Sequence, residues 1–268
     1  METEMESDRL KELHRRIDEA ELVLVGIGEA FQYDWGALTE DARYREIEEE
    51  IAGREEYSWI VSFLQKMVLL QKREDQWRCA YHNLKSLLAS KNYFVISLCM
   101  DDYIFESGLE AGRIVTPCGG FRRMQCDHNC SHVLSDMPQE SYEAVLQYYR
   151  KELPLEAMRE PICGACGEKI RFNQLGVTRY AEEGYLDQWN VYTKWLQGTV
   201  NKRLCVLELG VGMAYPTVIR FPFEKILFYN QKAYMYRIHP SLYYLGEEIG
   251  DRGLSVRENP VDFLCGLI

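Results

Sequence analysis

The sequence lacks a long apolar run and is short of basic residues. No apolar run approaches the ~20 residues that a membrane-spanning helix requires. Its 31 lysines and arginines are outnumbered by 42 aspartates and glutamates, which gives a formal net charge of −11. A general nucleic-acid-binding protein is expected to be basic. We therefore expect neither a membrane nor a nucleic acid among the partners of this protein.

Targeting signals, repeats and low-complexity tracts are also missing from the sequence. The first eight residues, METEMESD, are acidic and polar, unlike a signal peptide. The nine cysteines are odd in number, and without a secretory signal we expect thiols or metal ligands rather than disulfides. These features predict a cytoplasmic protein. A chain of 268 residues that is 47% apolar suits one large domain or one domain with a smaller satellite.

Apolar segments of strand length alternate with amphipathic segments along most of the chain. We predict strands over 22–25, 93–97, 113–116, 204–209, 225–228 and 234–238. We predict helices over 8–20, 39–51, 57–71, 74–90 and 185–197, with Thr39 as the cap of the second and Gly53 closing it. Continuous apolar strands separated by helices are typical of a mostly parallel sheet that is covered on both faces. The predicted fold class is therefore α/β.

Two close pairs of cysteines interrupt this alternation. The pairs are Cys126 with Cys130 and Cys163 with Cys166. Four thiolates in two pairs can surround one tetrahedral zinc ion, and the glycines of CGACGEK are typical of a zinc knuckle. His128 and His132 are rival ligands, but four cysteines already complete the shell. We therefore predict a closed zinc site that braces the fold.

The cysteine pairs lie in a region, 118–170, that is rich in Cys, His, Asp and Gly. Because this region breaks the alternation of strands and helices, we interpret it as an inserted zinc-binding module. The three cysteines outside it and outside the other candidate sites lie in apolar surroundings and are predicted to be core residues: Cys79, Cys205 and Cys265.

A glycine-containing turn follows the first predicted strand. The apolar run 22–25 leads into Gly26-Ile27-Gly28, which is how a strand enters a phosphate-cradling turn. Glu29 comes next, where an anionic ligand would be expected. Its carboxylate either points to solvent or repels a diphosphate, at a cost of about 1–4 kcal/mol for a 4 Å separation.

The order of these motifs resembles that of the sirtuins. A strand with GxG, a strand end that reads SLCMDD, a four-cysteine insert and the block LELGVGMAYPTVIRFPFEKI follow one another as they do in that family. The late block is most similar to the macrodomain-linked sirtuins, class M. The resemblance implies a Rossmann-like parallel sheet with a small zinc-binding domain. The NAD domain would comprise 1–117 and 171–268, with a helical insertion at 31–90 capping the cleft and the zinc module at 118–170.

The resemblance also implies an activity. Class M sirtuins are protein ADP-ribosyltransferases that use NAD⁺ as co-substrate, release nicotinamide and modify a protein acceptor, for which a lipoylated carrier protein is the family's candidate. The alternative is a catalytically inactive, sirtuin-like protein that binds a nucleotide or a partner protein. A deacylase is less favoured, because the family's catalytic histidine, which class M replaces with glutamine, falls on Cys118 in this chain.

Carrying the family's site over residue by residue gives two sets of candidates. The catalytic candidates are Asp101, Cys99 and Cys118, and the cofactor-binding candidates are Gly26, Gly28, Glu29, Gly210, Val211, Gly212 and His239. Cys99 replaces the family's asparagine, Ala30 replaces its phosphate-binding serine, and His239 replaces its adenosine-contacting asparagine.

Several of these candidates have a second interpretation. The two thiols are either apolar filler or reactive groups, which would need a lowered thiol pKa that Arg122 and Arg123 could provide. Asp101 is either an acid beside nicotinamide or a helix cap. Gly210 and Gly212 line a phosphate or ribose, or only form a turn. For Arg220 we favour a structural ion pair.

Overall fold

A six-stranded parallel sheet forms the centre of the molecule. The structure is a computed structural model that describes residues 2–71 and 75–267. The strands are β1 Leu22–Ile27, β2 Asn92–Ser97, β3 Ile114–Val115, β4 Gly119–Cys126, β5 Ile170–Gln174, β6 Leu204–Leu209, β7 Tyr234–Ile238 and β8 Gly253–Val256. The main sheet has the order β3-β2-β1-β6-β7-β8 with every pair parallel, and β4 pairs with β5 in a separate antiparallel sheet. This confirms the predicted α/β class.

Helices cover both faces of the main sheet. They are α1 Glu2–Glu19, α2 Ala42–Ile51, α3 Trp59–Gln71, α4 Asp75–Leu88, α5 Gln139–Tyr149, α6 Leu186–Gln197, α7 Arg220–Tyr229 and α8 Pro260–Cys265. Strand β1 is buried along its whole length. Val23 and Val25 pack into a core with α1, α3, α4 and α8, whereas Leu22 and Leu24 pack with α6 and α7. The alternation follows from the two-residue period of a strand.

The predicted strand at 225–228 is wrong, because these residues belong to α7. Ile219, Phe223 and Leu227 are all buried and are spaced by four residues, so one face of a helix packs on the sheet. The predicted cap at Thr39 is also wrong. Helix α2 begins at Ala42, and the Asp41 carboxylate accepts hydrogen bonds from the next backbone N–H groups.

Strands β4 and β5 and helix α5 lie at the predicted zinc module. Helix α5 packs against α2 and α3, which belong to the predicted helical insertion. The Arg43 guanidinium donates to the carbonyl oxygens of Tyr148 and Tyr149, and the Tyr148 hydroxyl donates to Glu50 at 2.7 Å. The domain boundaries given above stay predictions.

The cysteines outside the cluster and the cleft differ in burial. Cys205 is in the core as predicted, but Cys79 and Cys265 are only half-buried where α4 meets α8, so their prediction as core residues is wrong. Within residues 2–71 and 75–267, none of the helices combines the length and the apolar character needed to cross a bilayer.

Candidate functional site

The candidate cleft lies where the order of the strands reverses. Strand β1 is flanked by β2 on one side and by β6 on the other. Open α/β sheets bind ligands at the carboxyl ends of the strands on either side of such a point. The loops that leave β1 and β6 meet there, because the Gly28 N–H donates to the Leu209 carbonyl at 2.9 Å and the Ala30 N–H donates to the Gly210 carbonyl at 3.0 Å.

Close packing explains Gly26, inside β1, and Gly28, in the loop that follows it. A Cβ on Gly28 would lie 2.3 Å from the Cα of Val211, so only glycine lets the two loops approach this closely. A Cβ on Gly26 would lie 2.5 Å from Ile219, beneath α7. The Gly28 amide is already bonded to a carbonyl oxygen. The assignment of these glycines to a cofactor therefore stays a prediction, with no free N–H at Gly28 to support it.

The Glu29 side chain points towards the loop after β6, which we call the second loop. Neither sequence-based alternative anticipated this orientation. Its two carboxylate oxygens accept hydrogen bonds from the backbone N–H groups of Gly212 and Ala214, both at 2.9 Å. A Cβ on Gly212 would lie 2.9 Å from a Glu29 oxygen, so a side chain at this position would displace the carboxylate. Gly210 takes a left-handed conformation with φ of 66°, which favours glycine. The second loop is thus a backbone cradle that holds an anion.

Asp101 connects the loop after β1 to the end of β2. Its carboxylate is buried and accepts from the Tyr33 N–H at 2.9 Å and from the Tyr103 N–H at 3.1 Å. Burial raises the pKa of Asp101 to about 6. Both oxygens are therefore engaged by the backbone, which suits a positioning role. The contact with Tyr103, two residues on, agrees with the capping interpretation.

The neighbouring Asp102 holds the start of the second sheet and was not singled out from the sequence. It adopts φ of 63° and accepts a hydrogen bond from the Phe121 N–H, on β4. Burial raises the pKa of Asp102 to about 7, although the nearby Lys66 acts in the opposite direction. A pair of adjacent acids, separated by three residues from the end of a buried strand, was the available signal.

Cys99 and Cys118 are both buried thiols. The Cys99 Sγ donates to the Gly28 carbonyl oxygen at 3.4 Å, and burial raises the pKa of this thiol well above its ordinary value. Burial also raises the pKa of Cys118 to about 12. The Arg122 guanidinium stacks on the ring of Phe105 and Arg123 bonds to the Leu134 carbonyl. Because a thiolate is the nucleophilic form, this environment favours the filler interpretation.

His239 fixes the loop that follows β7. Its Nδ1 accepts from the N–H groups of Ser241 and Leu242, at 3.0 and 2.9 Å, so the neutral ring carries its proton on Nε2. Burial lowers the pKa of His239, which agrees with a neutral ring. Arg220 donates to the carbonyls of Val211 and Leu242 and so joins this loop to the one after β6.

A buried ionic network connects β6, β7 and α7 next to these loops. The Arg237 guanidinium donates to the Glu208 carboxylate, to Glu224 at 2.8 Å and to the Tyr244 carbonyl at 2.8 Å. Arg220 lies 3.5 Å from Glu208, so its nearer ion-pair partner is a carboxylate on β6 and not, as we expected from the sequence, one on the neighbouring helix. Sequence analysis missed Arg237, and its only signal was a charge inside the otherwise apolar strand YMYRI.

The cysteine cluster has the geometry of a tetrahedral metal site. The sulfurs of Cys126, Cys130, Cys163 and Cys166 all lie within 4.8 Å of one another. The distances are 3.5 Å between Cys126 and Cys166 and 3.7 Å between Cys130 and Cys163. A zinc ion about 2.3 Å from each of four sulfurs places neighbouring sulfurs roughly 3.8 Å apart. The four residues therefore fit zinc.

The local backbone favours the thiolate at Cys163, whereas hydrogen bonds with the neighbouring sulfurs raise the pKa of Cys130 to about 12. Backbone N–H groups of Ala165 and Cys166 lower the pKa of Cys163 to about 7. The rival ligands have other partners, because His132 Nδ1 lies 2.8 Å from a Glu183 oxygen and His128 Nδ1 lies 3.8 Å from Glu168. The geometry thus favours the four cysteines over the histidines as the ligand set.

Two curated proteins are similar to this chain in sequence, although no family model matches it. The Protein ADP-ribosyltransferase of Staphylococcus aureus is 22% identical over 267 residues, which cover 92% of this chain and 83% of that protein. The Probable bifunctional ADP-ribose hydrolase/ADP-ribosyltransferase of Fusarium oxysporum f. sp. cubense is 26% identical over 139 residues, which cover 50% of this chain and 23% of that protein.

Solved sirtuin structures share the architecture of this chain. One described as "The Structural basis of Sirtuin Substrate Affinity" has a TM-score of 0.59 at 14% identity and covers 96% of this chain and 97% of its own. The complex "Sir2-p53 peptide-NAD+" has a TM-score of 0.54 at 14% identity and covers 95% of each chain. The sheet order, the reversal point and these superpositions lead to one conclusion: the chain has the sirtuin fold.

Proposed function

We propose that this protein is a sirtuin-type, NAD-dependent protein ADP-ribosyltransferase of class M type. It transfers ADP-ribose from NAD to a protein acceptor and releases nicotinamide. The proposal is supported by the sirtuin fold and by the similarity, over 92% of the chain, to a protein named Protein ADP-ribosyltransferase. The cytoplasmic location expected from the sequence is part of the proposal.

One observation carries the nucleotide-binding part of this proposal. The N–H groups of Gly212 and Ala214 converge on an anionic group at the reversal point of the sheet. Two converging backbone donors are the kind of site that binds a phosphate oxygen. A sirtuin with the same fold has been solved as a complex that includes NAD⁺.

The residues around these amides have supporting roles in the proposed reaction. NAD supplies the activated bond between nicotinamide and ribose. Arg220 and His239 keep the loops after β6 and β7 in place, so that the donors of Gly212 and Ala214 are fixed before a ligand arrives. Donors that are already oriented stabilise developing charge without further rearrangement.

The predicted catalytic residues enter the proposal with different roles. Asp101 holds the backbone at Tyr33 and Tyr103 and is proposed as a positioning residue for the loop after β1. Cys99 and Cys118 are proposed as walls of the cleft, because both thiols are buried and protonated at neutral pH. The reaction would then depend on orientation and electrostatics rather than on a protein nucleophile.

A second candidate function is favoured by the same cleft. Glu29 already occupies the anion cradle, and the positions that match the family's asparagine and histidine are the protonated thiols Cys99 and Cys118. A protein with this cleft could bind a nucleotide or a partner without transferring ADP-ribose.

The acceptor in the proposed reaction is a protein, with a lipoylated carrier protein as the specific candidate. The test uses NAD that is labelled in its adenylate half and two forms of one carrier protein, lipoylated and unlipoylated. The proposal expects label on the lipoylated form and an equal amount of free nicotinamide. Label on both forms would keep the transferase and remove the lipoyl requirement.

Binding without chemistry is the outcome that selects the second candidate. ADP-ribose at 100 times its dissociation constant stabilises the protein by about 2.7 kcal/mol, which a thermal melt detects. Stabilisation by NAD or ADP-ribose with no nicotinamide release would leave a nucleotide-binding protein. Absence of both stabilisation and release at millimolar NAD would overturn the transferase.

A further inference from the structure

The Glu29 carboxylate contacts two backbone N–H groups in the way that an anionic ligand would. The carboxylate, which is half-buried, accepts one hydrogen bond at each oxygen, from Gly212 and from Ala214. Bonds from N–H groups to a charged oxygen are roughly twice as strong as bonds between neutral groups. The two donors are 183 and 185 residues from Glu29 along the chain, so this contact links two separate loops.

The position of this carboxylate corresponds to the middle of a dinucleotide. Glu29 follows β1 and contacts the loop after β6, and these two strands lie between β3, which precedes Cys118, and β7, which precedes His239. Cys118 and His239 match the family's catalytic and adenosine-contacting positions. In a dinucleotide the diphosphate joins the adenosine half to the nicotinamide half, so Glu29 lies where that diphosphate belongs.

We propose that Glu29 is an internal counterpart of the ligand's phosphate and that a nucleoside diphosphate binds only by displacing it. This inference deepens the proposed function, on which it rests, by identifying the residue that controls access to the same site. The Gly212 and Ala214 amides cannot donate to a carboxylate and to a phosphate oxygen at once. Glu29 therefore sets the affinity of the cleft and favours ligands whose phosphates compete for these two donors.

The surroundings of the contact leave room for displacement. Met213, Ala214 and Tyr215 are exposed on the second loop. Glu29 begins a short 3₁₀ turn whose other residues are held elsewhere, by the bonds from Ala30 to Gly210 and from Phe31 to Gly28. The carboxylate can therefore swing towards solvent while the backbone of both loops stays in place.

The experiment measures the binding of ADP and of inorganic pyrophosphate by calorimetry. The wild-type protein is compared with Glu29→Ala, which empties the cradle, and with Glu29→Gln, which removes the charge and keeps the size. Glu40→Ala is the matched control, because it removes one exposed negative charge elsewhere. We expect both Glu29 variants to bind ADP and pyrophosphate about tenfold or more tightly than the wild type, and the control to match the wild type.

The outcomes separate this inference from the proposed function. Equal affinity in wild type and Glu29 variants, or no binding by a folded Glu29→Gln variant, would overturn the inference. If the Glu29→Ala variant fails to fold, the Glu29→Gln variant carries the comparison alone. Tighter ADP binding with no nicotinamide release from NAD would sustain the role of Glu29 and reject the transferase.

Discussion

The cysteine cluster and the cleft satisfy their charges in opposite ways. In the cluster, four sulfurs converge with two backbone N–H groups near Cys163, and a cation from outside the chain is needed to stabilise four thiolates together. In the cleft, the anion-binding amides already have a carboxylate from the chain itself, Glu29. The proposed zinc ion would therefore stabilise the cluster, whereas the proposed ligand of the cleft would have to compete with Glu29.

The two sites therefore differ in how a bound ligand would contribute to the stability of the protein. A metal that binds only the folded state contributes its binding free energy to the stability of the fold. A site that contains its own substitute gives up internal hydrogen bonds when the ligand enters, so only part of the interaction energy appears as affinity. Under the two proposals, the ligand of the cleft exchanges readily, whereas the metal of the cluster remains bound.

Removal of the metal is expected to have the largest effect. We expect one zinc per chain by elemental analysis and a large drop in melting temperature with a strong chelator, since zinc binding contributes about 10–16 kcal/mol to the folding of zinc-finger peptides. Hydrogen exchange should accelerate first in β4 and β5, whose strands carry Cys126 and lie beside the second cysteine pair.

The control for this prediction is a cysteine outside the cluster. Cys163→Ser should lose the metal, and Cys205→Ala, a change in the core of β6, should retain it. A chain that carries no zinc, or that melts at the same temperature with and without chelator, would mean that the cluster is a set of ordinary thiols.

Loss of the buried arginine should have the next largest effect, at the cleft. Arg237→Met leaves the fully buried Glu208 carboxylate with only Arg220, 3.5 Å away. Breaking a buried ion pair by removing one partner destabilises a protein by about 3–5 kcal/mol. We expect that loss in the free energy of unfolding, measured by urea denaturation, without any loss of zinc.

An exposed ion pair provides the comparison for the loss of stability caused by Arg237→Met. Lys202 and Glu21 lie 3.2 Å apart at the surface, and Lys202→Met should change the free energy of unfolding by less than about 1 kcal/mol. Adding Glu208→Gln to Arg237→Met should recover part of the stability, because position 208 is then neutral and Arg220 keeps Glu224, 4.0 Å away, as an ionic partner. Similar small losses for both arginine and lysine variants would contradict the proposed importance of the buried network.

The sequence was sufficient for features that depend on nearby residues. Strand β6 has the predicted bounds, because six consecutive apolar or buried residues between a loop and a glycine describe a strand that is covered on both faces. The cysteine set was identifiable from spacing within each pair. By contrast, α7 contains the apolar run 226–228, Ile-Leu-Phe, and further aromatic residues, which resemble a strand, and its packing against the sheet overrides that local preference.

The orientation of charged side chains could not be predicted from the sequence. The Glu29 contact joins residues 183 apart, and that between Asp101 and Tyr33 joins residues 68 apart. Neither spacing has a local signature, since the two loops meet only when the sheet has formed. Sequence reasoning therefore proposed residues that the fold brings to the carboxyl ends of β1, β2, β6 and β7, and left open what their side chains contact.

The smallest effect is expected in the pH dependence of the cleft. Burial raises the pKa of Asp101 from 3.8 to about 6, so the folded protein binds a proton that the unfolded chain has lost between these values. The stability associated with this proton is fully present below about pH 4 and is lost as the pH rises through 6. The shift of about 2 units corresponds to roughly 3 kcal/mol at most.

Asp101→Asn removes this titration and isolates its contribution. The free energy of unfolding of wild type minus that of the variant should fall as the pH is raised from 4 to 7. Taking the difference cancels the carboxylates that do not interact with Asp101; Asp102 is the exception, because the charge of Asp101 contributes to raising its pKa. A difference that stays level, or that grows with pH, would mean that the Tyr33 and Tyr103 amides outweigh burial and that Asp101 stabilises the cleft as a permanent anion, as Glu29 does.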